Sequence, residues 1–270
     1  MNDKKLRLGL IGKDVSKSPS ARLHTFILNE FGIECEFENF SVGKDKFDVV
    51  MRRLIGDFDG FCVTIPYKRD VMEYLNDIKG DAFLFGAVNT VDNKTLTGYN
   101  TDGEGFLLMT KSEGISFAGK RVLVLGAGGS GRSTAVAVNG EGADVFIYQR
   151  DKEKLKETCT QLNLSPVDNP ETGGFDILIN CTGVGMHDTE GLSPVTKKAF
   201  RGAERAIDLI YEPKESEFLR LAKESGAQIL NGASMLFYVV YYADCLLTNR
   251  QPILSEAKNL YEKYRLIRAE

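Results

Sequence analysis

The chain has 270 residues, of which 43% are hydrophobic and 27% charged, with a net charge of −4. That length suits one large domain or two of ordinary size, and the composition is that of a soluble globular protein. The slight acidity argues against nucleic acid or an anionic membrane as partner. The longest apolar stretch, 235–247, is broken by Asp244 and is too short to span a bilayer.

The opening MNDKKLRLGLIG has no long apolar run and no small-residue cleavage site, so no signal peptide is expected. Strand-like runs fall at 6–11, 37–42, 60–65, 88–92, 121–125, 144–148, 176–181, 205–210 and 228–230. Helical periodicity fills 20–31, 44–55, 71–75, 129–139, 152–162, 216–225, 234–247 and 254–267. This alternation predicts an α/β protein with largely parallel sheets. The segment TLTGYNTDGEGF, 95–106, is dense in turn residues, and a helix to Gly114 follows it. A domain boundary is expected there, giving 1–103, with 237–270 packing back onto it, and 104–236.

The five cysteines, Cys35, Cys62, Cys159, Cys181 and Cys245, are odd in number and none are at C-x-x-C spacing. That speaks against a disulfide framework or zinc site and for a reducing cytoplasm. Cys62 and Cys181, inside apolar strands, read as buried small hydrophobes. His24 and His187 are far apart, so no metal is expected.

The first chemistry-bearing stretches lie at strand ends or turns, where α/β sheets bind ligands. They are Ser16-Lys17-Ser18-Pro19, GFCVTIPYKRDV (60–71), Asn89-Thr90 and Asn100-Thr101-Asp102. In the second, Phe61, Val63 and Ile65 alternate with Cys62 and Thr64, and Pro66 ends the strand because it has no N–H. Lys68 follows. Singly, each has a bland reading: Lys68 a solvated turn lysine, Ser18 to Ser20 a helix cap, Asn89 a turn residue, Asp102 a turn or cap.

RVLVLGAGGSGRS (121–133) is more specific. Gly126, Gly128 and Gly131 form G-x-G-x-x-G between an apolar strand and a helix, with a second strand at the expected distance. The first glycine makes the tight turn, the second admits the pyrophosphate and the third lets helix meet strand. Gly129 and Ser130 lie at the helix start that faces the phosphates. Gln149 stands where NAD binders place an acid, and Arg150 after it suits a 2′-phosphate, which favours NADP. Asp151 counts the other way, by repelling that phosphate or occupying Arg150, while Lys152 and Lys154 offset it. NAD therefore stays open.

In order and spacing, GKDVSKSPS, GFCVTIPYK, GAVNTV, GYNTDGEGF, LGAGGSGRS, INCTGVGM, DLIYEP and GASML resemble the shikimate dehydrogenase family, which includes quinate/shikimate dehydrogenases. The resemblance covers nearly the whole chain. It implies an N-terminal α/β substrate domain, a Rossmann-type NADP domain and C-terminal helices returning to the first domain, as a monomer or homodimer in the cytoplasm. The implied reaction is reversible hydride transfer between nicotinamide and C3 of shikimate, a step of aromatic amino acid biosynthesis. It assigns Lys68 and Asp102 as the catalytic pair, Ser16 and Ser18 with Tyr211 to the substrate carboxylate, and Thr64 and Asn89 to ring hydroxyls. Met186, Gly232 and Met235 are implied near the nicotinamide.

The chain departs from the family pattern at three places. Cys62 stands where Asn is usual, Val239 where Gln is usual, and His24 comes two residues later than the family's His after Ser-Pro. Val239 removes a polar contact, so a related polyhydroxylated cyclohexane carboxylate such as quinate is the alternative substrate. A non-catalytic nucleotide sensor is the alternative of another class, and the presence of both Lys68 and Asp102 argues against it.

Overall fold

The computed structural model describes residues 5–80 and 82–269, so the first four residues of the N-terminal stretch read above lie outside the description. The chain divides into two compact units, Met1–Leu108 with Phe237–Glu270, and Met109–Leu236.

In chain order the first unit contains β1 (Leu6–Gly12), α1 (Ser20–Glu30), β2 (Cys35–Ser41), α2 (Phe47–Asp57), β3 (Gly60–Val63), β4 (Asp77–Ile78), α3 (Ala82–Phe85), β5 (Thr90–Asp92), β6 (Thr97–Tyr99) and the start of α4 (Asp102–Ser112). Its sheet has the order β2-β1-β3-β5-β6-β4. β1 pairs in parallel with both β2 and β3, but β5 runs antiparallel to β3 and to β6. This sheet is therefore mixed, not largely parallel. The reversal arises because only four residues join β5 to β6, enough for a hairpin and too few for a crossover.

The second unit carries the rest of α4, then β7 (Arg121–Leu125), α5 (Gly129–Gly140), β8 (Asp144–Tyr148), α6 (Lys152–Leu162), β9 (Ser165–Pro166), β10 (Ile177–Asn180), β11 (Arg205–Asp208), α7 (Glu217–Glu224) and β12 (Gln228–Asn231). Every pairing in its sheet is parallel, in the order β12-β11-β10-β7-β8-β9. This is the doubly wound arrangement, with its switch point between β7 and β10. The leading strands are uniformly apolar, as burial on both faces demands: Val122 to Leu125 and Ile177 to Ile179 are all at most 1% exposed.

Two helices follow, α8 (Met235–Leu247) and α9 (Leu254–Ala269). From Phe237 onward they belong to the first unit. One face of that unit's sheet packs Ile11, Phe61 and Val63 against Met51 and Leu54 of α2. On the other face Leu8, Leu28 and Leu247 form a second cluster. Gly60 makes this possible, since a Cβ there would lie 2.7 Å from Leu247 Cδ2 and 2.8 Å from the Val91 carbonyl. Gly105 of α4 is as tight, with a Cβ falling 2.7 Å from both the N and the Cα of Val239 on α8.

The second face also buries charge. His24 of α1 and Asp244 of α8 are both 0% exposed, with Nδ1 2.6 Å from Oδ1. The imidazole stacks on Phe37 with centroids 4.8 Å apart. Its Nε2 lies 3.4 Å from Cys62 Sγ. Burial alone would push His24 down, but the Asp244 carboxylate and Cys62 outweigh it and raise the imidazole to about 10. A buried charge without its partner costs several kcal/mol, so this pair ties α8 to α1.

Two outcomes follow from the packing. Gly105→Ala should lower the free energy of unfolding by about 1–3 kcal/mol in urea titrations, because a backbone has to give way. The His24 contribution is full below the ordinary histidine value of about 6.5 and is lost as pH rises through the raised value. The urea midpoint should therefore fall between about pH 7 and pH 10, and His24→Gln, less stable at neutral pH, should show a shallower fall.

Candidate active site

The first unit has its own switch point, between β1 and β3, and the loops leaving those strands run side by side. Lys13 N–H donates to the Ile65 carbonyl at 3.2 Å. Thr64 N–H donates to the Ile11 carbonyl at 2.9 Å. After Pro66, buried Tyr67 stacks on Phe47 and donates its hydroxyl to the Val42 carbonyl at 2.6 Å. That anchor fixes the turn and leaves Lys68, next in the chain, part-exposed. Lys68 is held again through its carbonyl, which accepts from Val88 N–H at 2.7 Å.

Lys68 Nζ lies 2.6 Å from Asp102 Oδ2, with the side chains 25% and 14% exposed. The other carboxylate oxygen, Oδ1, accepts from Asn89 Nδ2 at 2.8 Å. Asn89 is turned by its own oxygen, which accepts from Thr101 N–H at 2.9 Å and from the hydroxyls of Thr90 and Thr101. Those donors leave the amide nitrogen one direction, toward Asp102. Asp102 opens α4, where its N–H donates to Asn100 Oδ1 at 3.0 Å, and Asn100 Nδ2 donates to the Ala87 carbonyl at 3.0 Å. The turn residues Asn100 and Thr101 thus lead directly into a helix that begins at Asp102, with Asn100 closing an Asx turn in front of it. The carboxylate sits at the positive end of that helix.

Thr64 is part-exposed beside Gly12, whose Cβ would fall 2.5 Å from Thr64 Cγ2. Ser18 Oγ donates to Ser20 Oγ at 2.9 Å at the start of α1. Ser16 is exposed and donates to Asp14 Oδ1 at 2.7 Å, a partner the sequence reading did not foresee. Ser16 holds the Asp14 carboxyl below the usual carboxylate range through its hydroxyl and its N–H.

In the second unit the glycine turn follows β7. Gly126 has φ +104° and donates its N–H to the Tyr148 carbonyl at 2.8 Å. A Cβ on Gly131 would lie 1.9 Å from the Gly126 carbonyl, so no other residue fits. Gly128 precedes α5 with no side-chain cap, and at Gly128 and Gly129 a Cβ would meet nothing within 4 Å. The first turn of α5 therefore keeps free N–H groups, with Ser130 exposed among them. A groove of about 670 Å³ runs past Gly126, Gly128, Gln149, Arg150 and Thr182. A second, of about 390 Å³, is lined by Ser130, Met186 and Tyr211. Tyr211 is 56% exposed. Gly232 is pressed against β11's end, a Cβ there meeting the Leu209 carbonyl at 2.2 Å, and Met235 begins α8.

Asp151 does not occupy Arg150. It caps α6, accepting from Lys154 N–H at 3.1 Å, and Lys152 pairs with Asp168 at 2.9 Å. Arg150 makes no hydrogen bond or ion pair among the described residues. Gln149 turns inward, its Oε1 accepting from Ala127 N–H at 3.4 Å.

Two buried networks escaped the sequence reading. Asn180 donates to Asp208 at 3.0 Å, and Asp208, which burial pushes up while Ser216, Ile210 N–H and Asn180 hold it down, ties β10 to β11. The other is His24, Cys62 and Asp244, so Cys62 is not merely a small hydrophobe. Neither Cys62 nor Cys181 is fully buried. The one signal for the second network was Asp244 itself, a charge inside an apolar helix that requires a partner. Among the described residues no group of three or more His, Cys, Asp or Glu is placed to hold a metal ion, and no helix is long and apolar enough to cross a membrane.

A family profile described as the shikimate dehydrogenase substrate binding domain matches residues 10–91. The chain is 34% identical to the shikimate dehydrogenase (NADP(+)) of Syntrophomonas wolfei, over 94% of this chain and 93% of that one. Its fold matches the shikimate 5-dehydrogenase of Thermus thermophilus, solved with NADP(H) and shikimate, with TM-score 0.86 and 31% identity over 96% of this chain and 99% of that one. It also matches a 5-ketofructose reductase of Gluconobacter, with TM-score 0.82 and 27% identity over 97% of this chain and 99% of that one. With the identity to the Syntrophomonas protein running over nearly the full length of both chains, the chain belongs to the shikimate dehydrogenase family.

Proposed function

We propose that the protein is an NADP-dependent shikimate dehydrogenase that interconverts 3-dehydroshikimate and shikimate. The observation that carries this reading is the contact between Lys68 and Asp102, held from its other side by Asn89. The Syntrophomonas and Thermus relatives supply the substrate and the cofactor.

The cofactor's fit rests on the uncapped α5, the open Gly128 and Gly129 and the unengaged Arg150. The helix N-terminus, with Ser130, would take the pyrophosphate and the Arg150 guanidinium the 2′-phosphate. Met186, Gly232 and Met235 are assigned to the nicotinamide end. Bound NADPH supplies the hydride.

The chain's own residues manage the proton. As the ketone is reduced, negative charge builds on its oxygen, and Lys68 Nζ stabilises that oxygen and protonates it. Asp102 Oδ2 accepts from Nζ and sets where it points, and Asn89 stops the carboxylate from rotating away. Thr64 offers a hydroxyl to the substrate ring. For a substrate carboxylate, Ser16 would have to swing off Asp14, leaving Ser18 and Tyr211 as further donors. The free state of all five cysteines suits a reducing cytoplasm.

A second substrate remains in play because of Val239. It sits against Gly105 at the start of α8 and presents only methyl groups. A related polyhydroxylated cyclohexane carboxylate, quinate among them, would lack or displace the hydroxyl that a polar residue would serve.

Purified protein incubated with shikimate or quinate, each with NADP or NAD, is expected to reduce NADP with shikimate. Turnover of quinate alone would replace the leading substrate, and tight NADP binding without turnover of either would point to a sensor. Lys68→Ala should lower kcat by about 10²–10⁴-fold while NADPH binding, followed by nicotinamide fluorescence, stays unchanged. Arg150→Ala should raise the KM for NADP about tenfold or more, the worth of one charge-assisted contact, and leave that for NAD nearly unaltered.

A further inference from the structure

The reaction proposed above makes no use of the buried chain Cys62–His24–Asp244, which is built as nucleophile, base and orienting acid are built in cysteine enzymes. Sγ lies 3.4 Å from Nε2, and Nδ1 lies 2.6 Å from the Asp244 carboxylate. Asp244 accepts from Nδ1–H, which leaves Nε2 directed at the sulfur, where the ring can exchange a proton with it. The second carboxylate oxygen of Asp244 is buried with no hydrogen-bond partner. The Asp244 carboxylate, paired through its other oxygen with His24, favours the imidazolium formed when the thiol proton moves to Nε2.

Cys62 is also not closed off from solvent. β3 lies between β1 and β5, so its backbone is engaged on both sides. Its neighbours Phe61 and Val63 are 0% and 2% exposed, yet Cys62 keeps part of its surface open. By strand alternation its side chain points to the same face as Thr64, two residues nearer the strand's carboxyl end. The other thiols lack such a base. Burial first, with the nearby Asp244 carboxylate, pushes Cys35 up to about 12. Burial pushes Cys181 up to about 12, Cys245 to about 11 and Cys159 in the same direction.

We propose that Cys62 is a modification site, a thiol on the Thr64 side of β3 that His24, held by Asp244, activates toward hydroperoxides. The sulfur of the thiolate attacks the near oxygen of the peroxide, an S–O bond forms and the O–O bond breaks. The sulfur is oxidised to the sulfenic acid and the peroxide reduced. The leaving hydroxide, or alkoxide, takes the proton from His24 Nε2 and departs as water or alcohol. An oxygen is thereby added on the Thr64 face, and a thiol reductant reverses the change through a mixed disulfide.

The test is labelling, which does not depend on the substrate reading. Folded protein is treated with hydrogen peroxide in the presence of dimedone, and the label on each cysteine is followed by peptide mapping. Cys62 is expected to label about tenfold or more faster than Cys35, Cys159, Cys181 and Cys245, which have no imidazole beside the sulfur. Asp244→Asn should slow Cys62 by about tenfold and leave Cys159 and Cys181, on which Asp244 does not act, unchanged. If that variant unfolds, buried Cys159 and Cys245 will label as fast as Cys62, and the unmodified chain decides alone. Cys62 labelling no faster than Cys35 and Cys181 in the unmodified chain, or no label on Cys62, overturns the proposal.

Discussion

The carboxylate of Asp102 is engaged at both oxygens by donors from two other parts of the chain, and the geometry of the first unit is organised to keep it so. Lys68 arrives from the turn after β3 and Asn89 from the loop before β5. These segments are not joined by side chains alone. Val88 donates to the Lys68 carbonyl, Val63 to the Asn89 carbonyl and Asn89 to the Tyr99 carbonyl. Three strand ends are thus laced together by main-chain bonds before any side chain is considered. A lysine in such a frame is no longer a flexible surface cation. The rotamer freedom it would otherwise lose on binding substrate has already been lost in folding.

The nucleotide unit meets a comparable demand by removing atoms. Where the first unit positions side chains, the second brings backbone close to backbone, Gly131 against Gly126 and Gly232 against the end of β11. Nothing projects from Gly128 or Gly129, so the amides of α5 remain open to an anion. The residue that completes the selectivity is defined by a neighbour's occupation. Asp151 is engaged as a helix cap, and Arg150 therefore stays uncommitted.

These two devices were not equally legible in the sequence. The glycine turn could be read because its whole signal lies within a dozen consecutive residues, between an apolar strand and a helix with 3.6-residue periodicity. Lys68, Asn89 and Asp102 were each ambiguous, because a turn residue and a positioned donor look alike until their partners are known. The hairpin of β5 and β6 was half missed, since three-residue strands are too short to show alternation. Asn100 to Asp102 read as loop because the residues that cap helices are those that make turns. The His24–Asp244 pair is separated by 220 positions, and no local pattern joins such residues. Cys62 was misread for the same reason: its place in an apolar strand was visible, its imidazole was not.

The return of α8 to the first sheet also bears on how the chain is made. The second unit, Met109–Leu236, is continuous and emerges from synthesis complete. The first unit does not. When its initial 108 residues have been made, Gly60 and Leu8 still lack Leu247, and the imidazole of His24 still lacks a carboxylate. Until α8 is translated, that sheet face is an open apolar surface with an unmatched histidine. The nascent chain must hold this state while the whole nucleotide unit is built, so the ordinary order of N-terminal folding first is reversed. A unit begun before the nucleotide unit is finished only after it.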